Sequence, residues 1–476
     1  MFTHIRRNSL KVIAASAMAL FPIGKAAFAE SKEPRPEGSI TVRLTAADKR
    51  YALADPLRWH RASGKVGTNT IVILPARKQQ PILGFGAALT DAACYMINQM
   101  PEADRDKLLQ ELFDPKQMGF SLCRLCIGSS DYAKTMYSFD EGDPDPELTR
   151  FSIDHDRAYI LPIVRRSREI NPDLYLFASP WSPPGWMKDN NAMFGGTIRA
   201  HYLPAYANYF VKFLQAYKDA GVEINSVSSQ NEVDTDQDSK MPACLFPQEI
   251  EVRYVGQNLG PALESAGLKT KIWLLDHNYN LWGRALSELD EPEVNKYTKA
   301  IAWHGYLGKP EWVEKVLAVH PDAEMYWTEG GQHFDDEDYA TCWSKWGSKF
   351  TDILRNGMRG IIGWNMALDE TGKPNIGPYK CAGLVTINSQ TREVTRSGQF
   401  WAFAHFTRAM QRNAEVIGSE GDVASVQHVA AVNPDGQYVV VLTNSGKTPT
   451  TVQLRDGSSM VKVDLPADSV TTLIWK

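Results

Sequence analysis

The chain reads as an α/β protein: a (β/α)8 TIM barrel with an attached β-sandwich domain formed from both chain ends. Three observations predict this. Short apolar runs alternate with amphipathic segments eight times between residues 81 and 411, the pattern of parallel strands separated by crossover helices. After residue 412 the texture changes to alternating apolar and polar residues, punctuated by the tight-turn pairs Asp435-Gly436 and Asp456-Gly457, which mark hairpins. A similar strand-like texture occurs before the barrel, at 39–44 and 70–74. An open doubly wound sheet is the competing architecture. However, Gly84-Phe85-Gly86 lacks the remaining glycine of a dinucleotide-binding turn.

Taken in order, residues 1–29 read as a signal peptide. Arg6, Arg7 and Lys11 form a basic start, 12–23 an apolar stretch, and Ala27-Phe28-Ala29 a cleavage pattern. The Arg6-Arg7 pair also fits a twin-arginine signal, so a periplasmic or secreted protein is expected. Residues 30–80 are expected to supply the N-terminal strands of the sandwich, 81–411 the barrel, and 412–476 the C-terminal part of the sandwich. The eight barrel strands are expected at 82–85, 121–127, 174–178, 224–228, 271–275, 300–304, 323–327 and 360–364. Helical spacing of apolar residues between them is clearest at 205–220 and 247–266.

Loss of residues 1–29 removes Arg6, Arg7, Lys11 and Lys25 and no acidic residue, taking the net charge from −5 to −9. That acidity argues against nucleic acid or an anionic membrane surface as partner, and no later apolar run is long enough to span a bilayer. The six cysteines are scattered, and most read as buried thiols, with a disulfide between distant ones as the alternative. Cys123 and Cys126 fall on an expected strand, where residues three apart face opposite sides, so no metal site is expected there.

Two glutamates stand out at the ends of apolar runs: Glu232 after the fourth expected strand and Glu329 after the seventh. A buried carboxylate is costly unless paired or used, and barrel active sites lie at the C-terminal ends of the strands. The neighbouring strand ends add Asp131, Trp181, Asp276, His277, His304, Tyr306, Trp364 and Asn365. Acidic groups mixed with aromatic rings suit a sugar, whose hydroxyls bond to carboxylates and amides while its C–H face stacks on rings. Asp234, Asp236 and Asp238 mimic the start of a calcium loop, but Ser239 stands where glycine is needed and Leu245 where glutamate is needed.

At these residues the chain resembles glycoside hydrolase family 30, the family of lysosomal glucosylceramidase. The resemblance rests on the run from Gly84 to Ala93, on Ala178-Ser179-Pro180-Trp181-Ser182-Pro183-Pro184, on Gln230-Asn231-Glu232, on Trp327-Thr328-Glu329 and on Gly363-Trp364-Asn365. It implies a retaining β-glycosidase working without a metal or organic cofactor on a carbohydrate or glycoconjugate. By the same resemblance Glu232 matches the general acid/base and Glu329 the nucleophile. Asn231 matches the residue that bonds the sugar 2-hydroxyl. Asp131 resembles a carboxylate holding outer hydroxyls, Trp181 and Trp364 resemble subsite walls, and Tyr306 is similar to a tyrosine that contacts the nucleophile. His304 reads either as a substrate-binding residue or as one that orients its neighbours. The chain departs from the family at Val233, often proline there, and at Gly305, where glucosylceramidase has an aromatic residue.

A retaining mechanism places the two carboxyls roughly 5–5.5 Å apart and needs the acid/base protonated at the outset. Apolar surroundings and the like charge of Glu329 are expected to raise the pKa of Glu232. A β-glucosidase or glucosylceramidase-like activity leads. A β-xylosidase, β-1,6-glucanase or β-fucosidase, and a transglycosylase using the same residues, are the alternatives, with a non-catalytic carbohydrate-binding protein last.

Overall fold

Eight parallel strands form the centre of the computed structural model, which describes residues 38–62 and 66–476. They are β1 (Gly84–Ala87), β2 (Leu122–Cys126), β3 (Tyr175–Ser179), β4 (Ser226–Ser228), β5 (Lys271–Asn278), β6 (Ala300–His304), β7 (Glu324–Glu329) and β8 (Met358–Gly363). Each pairs with its sequence neighbour, β8 pairs with β1, and an Ala88–Arg124 bridge closes the ring. The expected signal peptide lies outside the described residues. Among those described, no helix is long and apolar enough to cross a membrane.

Alternation along the strands builds the barrel interior in layers. Leu122, Phe177, Trp273, Ala300, Ala302, Tyr326 and Ile362 form one apolar cluster. Trp273 lies parallel to Tyr326 at 4.0 Å and stacks on Phe177 at 4.5 Å between ring centroids. Stacked pairs of this kind contribute about 0.5–1.5 kcal/mol beyond their buried area. Two residues further along their strands come Arg124, Ser179, His304 and Thr328, all buried. The period-two step therefore carries the interior from an apolar plug to a polar floor directly beneath the barrel mouth.

β5 breaks that rhythm. Its pairing with β6 shifts between Ile301–Leu274 and Trp303–His277, so one extra residue is accommodated on β5. Leu275 and Asp276 take φ values of 71° and 46°. This bulge turns Asp276 into the polar floor, where simple alternation from Trp273 would place Leu275.

Strands from both chain ends form the second sheet. Ser39–Ala46 pairs antiparallel with Ser469–Trp475, and Thr70–Pro81 lies between Glu415–Glu420 and Thr450–Asp456. Both Asp-Gly pairs make hairpin turns, Gly436 at φ 83° and Gly457 at φ 53°. The sheet encloses its own apolar core, including Ile71, Val440, Leu442, Val452 and Leu473. Its face toward the barrel meets the helix Gly398–Thr407, whose buried His405 lies 2.8 Å from both Thr45 Oγ1 and Thr472 Oγ1. All six cysteines are free thiols.

The expected helix at 247–266 is present but interrupted by a π-helical turn, Val255–Leu259. The strand Lys49–Arg58, which no sequence signal marked, forms one edge of the large sheet.

Candidate active site

Asp276 organises the floor. Its Oδ2 accepts from Arg124 Nη2 at 2.7 Å, Ser179 Oγ at 2.6 Å and Ser228 Oγ at 2.7 Å, while Oδ1 accepts from Thr328 Oγ1 at 2.7 Å and faces His304 Nε2 at 3.0 Å. These partners outweigh the effect of burial and hold its pKa far below the usual carboxylate range. Arg124, wholly buried, spreads its charge over the rest of the site. Nη1 donates to Glu329 Oε2 at 2.6 Å and Nη2 to Asn231 Oδ1 at 2.7 Å. Its guanidinium carbon lies 4.6 Å from the centroid of the Trp181 ring and 5.6 Å from that of Trp364. Those two rings stack with centroids 5.1 Å apart.

Glu329 is the last residue of β7. Besides Arg124 it accepts from Tyr306 Oη at 3.1 Å, and His304 Nε2 stands 3.8 Å from its Oε2. Glu232 sits four residues beyond the end of β4 rather than on it. It holds a left-handed φ of 52°, a conformation costing a non-glycine residue about 1–3 kcal/mol. The surroundings enforce it: Glu232 N–H donates to Asp276 O at 2.9 Å, Asn231 N–H to Pro180 O at 2.8 Å, and Gln230 Nε2 to Trp181 O at 2.6 Å. The carboxylate then lies between His304 Nδ1, 3.2 Å from Oε1, and the side-chain amide of Gln237, which donates to Oε2.

The two glutamates titrate in opposite directions, and not in the expected order. Burial pushes Glu232 upward, but the hydrogen bond from His304 and the charges of His277, His304 and Arg124 prevail and lower its pKa. Burial raises Glu329 despite the charges of His304 and Arg124, with the like charges of Glu232 and Asp276 adding to the rise. His304 explains the reversal. Burial opposes its charge, yet Glu329, Asp276 and Glu232 together raise its pKa to about 9. Both shifts favour the proton on the imidazole over the carboxyl of Glu232 beside it.

The structure brings Asp131, Trp181, Asn231, Glu232, His304, Tyr306, Glu329 and Trp364 to one mouth. Asp131 is buried with Oδ1 unpartnered by protein, and burial with the charges of Glu329 and Glu232 raises its pKa well above normal. Tyr306 turns its hydroxyl inward while the residue stays 45% exposed. Gly305 has a packing reason: a Cβ there would stand 2.7 Å from Trp327 Nε1. The sequence reading left out Gln237, and it gave Asp276 no role among the site residues. Gln237 comes from the acidic loop that failed the calcium-loop test, and its Oε1 accepts from Tyr379 Oη at 2.5 Å.

A barrel mouth holding two carboxylates in contrasting surroundings, walled by stacked tryptophans, defines a glycoside hydrolase. The glycosyl hydrolase family 30 TIM-barrel domain matches residues 82–410 and the family 30 beta sandwich domain residues 413–473. The endo-1,6-beta-D-glucanase of Neurospora crassa is 33% identical over 442 residues, 87% of this chain and 90% of that protein. The lysosomal acid glucosylceramidase of Mus musculus is 26% identical over 440 residues, 87% and 85% of the two chains. Among solved structures, the endo-beta1,6-glucanase BT3312 superposes with a TM-score of 0.82 at 29% identity, covering 92% of this chain and 100% of that one. The chain belongs to glycosyl hydrolase family 30.

Proposed function

We propose that the enzyme hydrolyses β-D-glucosides by double displacement, with Glu329 as nucleophile and Glu232 as acid/base. The observation that carries this is the division of donors between the two carboxylates. Glu329 receives Arg124 and Tyr306, which orient and charge-balance an attacking oxygen. Glu232 faces the protonated imidazole of His304, a proton source.

In the first step Glu329 attacks the anomeric carbon while the leaving oxygen takes the Glu232 proton. His304 Nδ1 supplies that proton across its 3.2 Å contact, and the leaving oxygen displaces Gln237 from Oε2. Once Glu329 is esterified its negative charge is gone, and Glu232 deprotonates the water that attacks the glycosyl-enzyme. Arg124 occupies Asn231 Oδ1, so the amide NH2 is the end of Asn231 available to a sugar 2-hydroxyl. Asp131, with an unpartnered oxygen, holds outer hydroxyls, and Trp181 and Trp364 wall the bound ring.

Glucose is the proposed sugar because the names of the relatives, endo-1,6-beta-D-glucanase and lysosomal acid glucosylceramidase, share a glucosyl unit. The signal-like residues 1–29 support export to the periplasm or beyond. The test is a panel of aryl β-glucoside, β-xyloside and β-fucoside, a β-1,6-linked glucan and glucosylceramide, run with wild type and Glu329→Gln. Wild type should prefer the glucosides and release the β-anomer first, and the variant should be inactive on all of them. Initial release of the α-anomer, or wild-type turnover by Glu329→Gln, would refute the mechanism.

A further inference from the structure

We infer that the acid/base side of this site also binds a divalent transition-metal cation of the zinc type through Glu232, His277 and His304, and that its occupancy blocks hydrolysis. Each residue offers one donor atom, and the three lie within 4.8 Å of one another. Glu232 Oε1 is 3.2 Å from His304 Nδ1 and 3.8 Å from His277 Nδ1. Tetrahedral zinc with bonds of about 2.0–2.1 Å places its donors about 3.3 Å apart. The first edge already fits, and a small rotation of His277 closes the others.

The groups behind these ligands are also in place. His304 turns Nε2 toward Asp276 Oδ1 at 3.0 Å, so a proton kept on Nε2 leaves Nδ1 for the cation, the carboxylate–histidine–metal arrangement. Asn278 Oδ1 accepts from the N–H groups of Tyr306 and Leu307 at 2.9 and 3.1 Å. The Asn278 NH2 must therefore face His277 Nδ1, 3.3 Å away, which makes that nitrogen an acceptor whose lone pair the cation takes over from the amide. The bulge in β5 is what brings both Asp276 and His277 to the cleft, since consecutive residues of a regular strand face opposite ways. Against the three carboxylates of Glu232, Glu329 and Asp276 stand two cationic groups, Arg124 and His304, so a cation gains from the remaining surplus of carboxylate. Glu232 and His277 keep a little exposure, which leaves a fourth position for water. On binding, the cation takes the place of the His304 Nδ1 proton, which passes to the buffer. The cation is thus an inhibitor of the hydrolase and not a cofactor for it.

Zn²⁺ binding is measured by calorimetry, Co²⁺ binding by its visible spectrum, and inhibition with an aryl β-glucoside, each variant being referred to its own metal-free rate. Zn²⁺ should inhibit wild type reversibly with a chelator, Mg²⁺ should not, and Co²⁺ should give the intense bands of a tetrahedral site. His277→Ala should raise both the Zn²⁺ Kd and the half-inhibitory concentration at least about tenfold, whereas His277→Cys, which restores a donor, should retain binding. His333→Ala, in the separate surface group His333, Asp335 and Asp336, and Cys381→Ser, at a partly exposed thiol, should change neither. Absence of Zn²⁺ binding, inhibition unaltered in His277→Ala, or inhibition lost in either control variant overturns the proposal. Inhibition rests on Glu232 being the acid/base, whereas binding does not. Binding that depends on His277 without inhibition would therefore overturn the inhibitory half together with that assignment of Glu232.

Discussion

Arg124 and Asp276 form a wholly buried ion pair, Nη2 to Oδ2 at 2.7 Å, beneath the two glutamates of the mouth. Asp276 receives three further hydroxyl donors, and Arg124 extends to Glu329, so the pair joins the barrel floor to the reacting groups. Removing one partner of a buried pair strands the other charge and costs about 3–5 kcal/mol. Asp276→Asn should therefore lower the free energy of denaturant unfolding by about that amount. It should also depress kcat, because His304 loses the carboxylate on its Nε2 side.

Tyr306 donates to Glu329 Oε1 at 3.1 Å. A hydrogen bond to a charged group contributes about 1.5–3 kcal/mol, about ten- to a hundredfold in rate if expressed in the transition state. Tyr306→Phe should show that loss in kcat for aryl β-glucosides, with the thermal transition unchanged. A change confined to KM would reassign Tyr306 to ground-state binding.

Glu232→Ala removes the acid/base but leaves the contacts of Glu329 with Arg124 and Tyr306 in place. The variant should still form its glycosyl-enzyme from a dinitrophenyl β-glucoside, whose leaving group needs no proton, and then stall. Added azide should restore turnover and yield the β-glucosyl azide. If Glu232→Ala instead yields the α-glucosyl azide and Glu329→Gly the β-glucosyl azide, the two assignments are exchanged.

His405 carries a pH signature of stability unrelated to catalysis. Burial, aided by the charge of Arg408, lowers its pKa to about 3, against about 6.5 in an unfolded chain. Between those values the unfolded state binds the extra proton. The stabilisation is thus fully present above pH 6.5 and is lost as the pH falls toward 3. The thermal transition of wild type should drop on acidification through this window, and His405→Gln should remove part of the slope. Parallel slopes in the two proteins would show that His405 contributes nothing to it.

Much of the fold is legible in the residues. The strand 300–304 is found as read, and the other barrel strands lie within a few residues of their expected places, because parallel strands buried on both faces leave uninterrupted apolar runs. Lys49–Arg58 went unread because it carries Asp55, Pro56 and Arg58 and has only one fully buried residue. Charge and proline are what sheet-edge strands tolerate, and they disguise the strand.

Glu232 and Glu329 stand out in the chain because isolated acids ending apolar runs need a reason. Asp276 gained no such weight, since alternation counted from Trp273 turns it away from the barrel axis and only the bulge at Leu275 and Asp276 reverses it. A bulge depends on the neighbouring strand, and no local pattern announces it.

The sequence by itself therefore marked the strands and the two carboxylates that end apolar runs, since burial pattern and strand order are written along the chain, and the family motifs selected the barrel and gave the carboxylates their roles. Which way each carboxylate's pKa moves was decided by tertiary structure. Arg124, His304, Tyr306 and Gln237 come from separate elements, and the field at each glutamate is set by distances of a few ångströms among them.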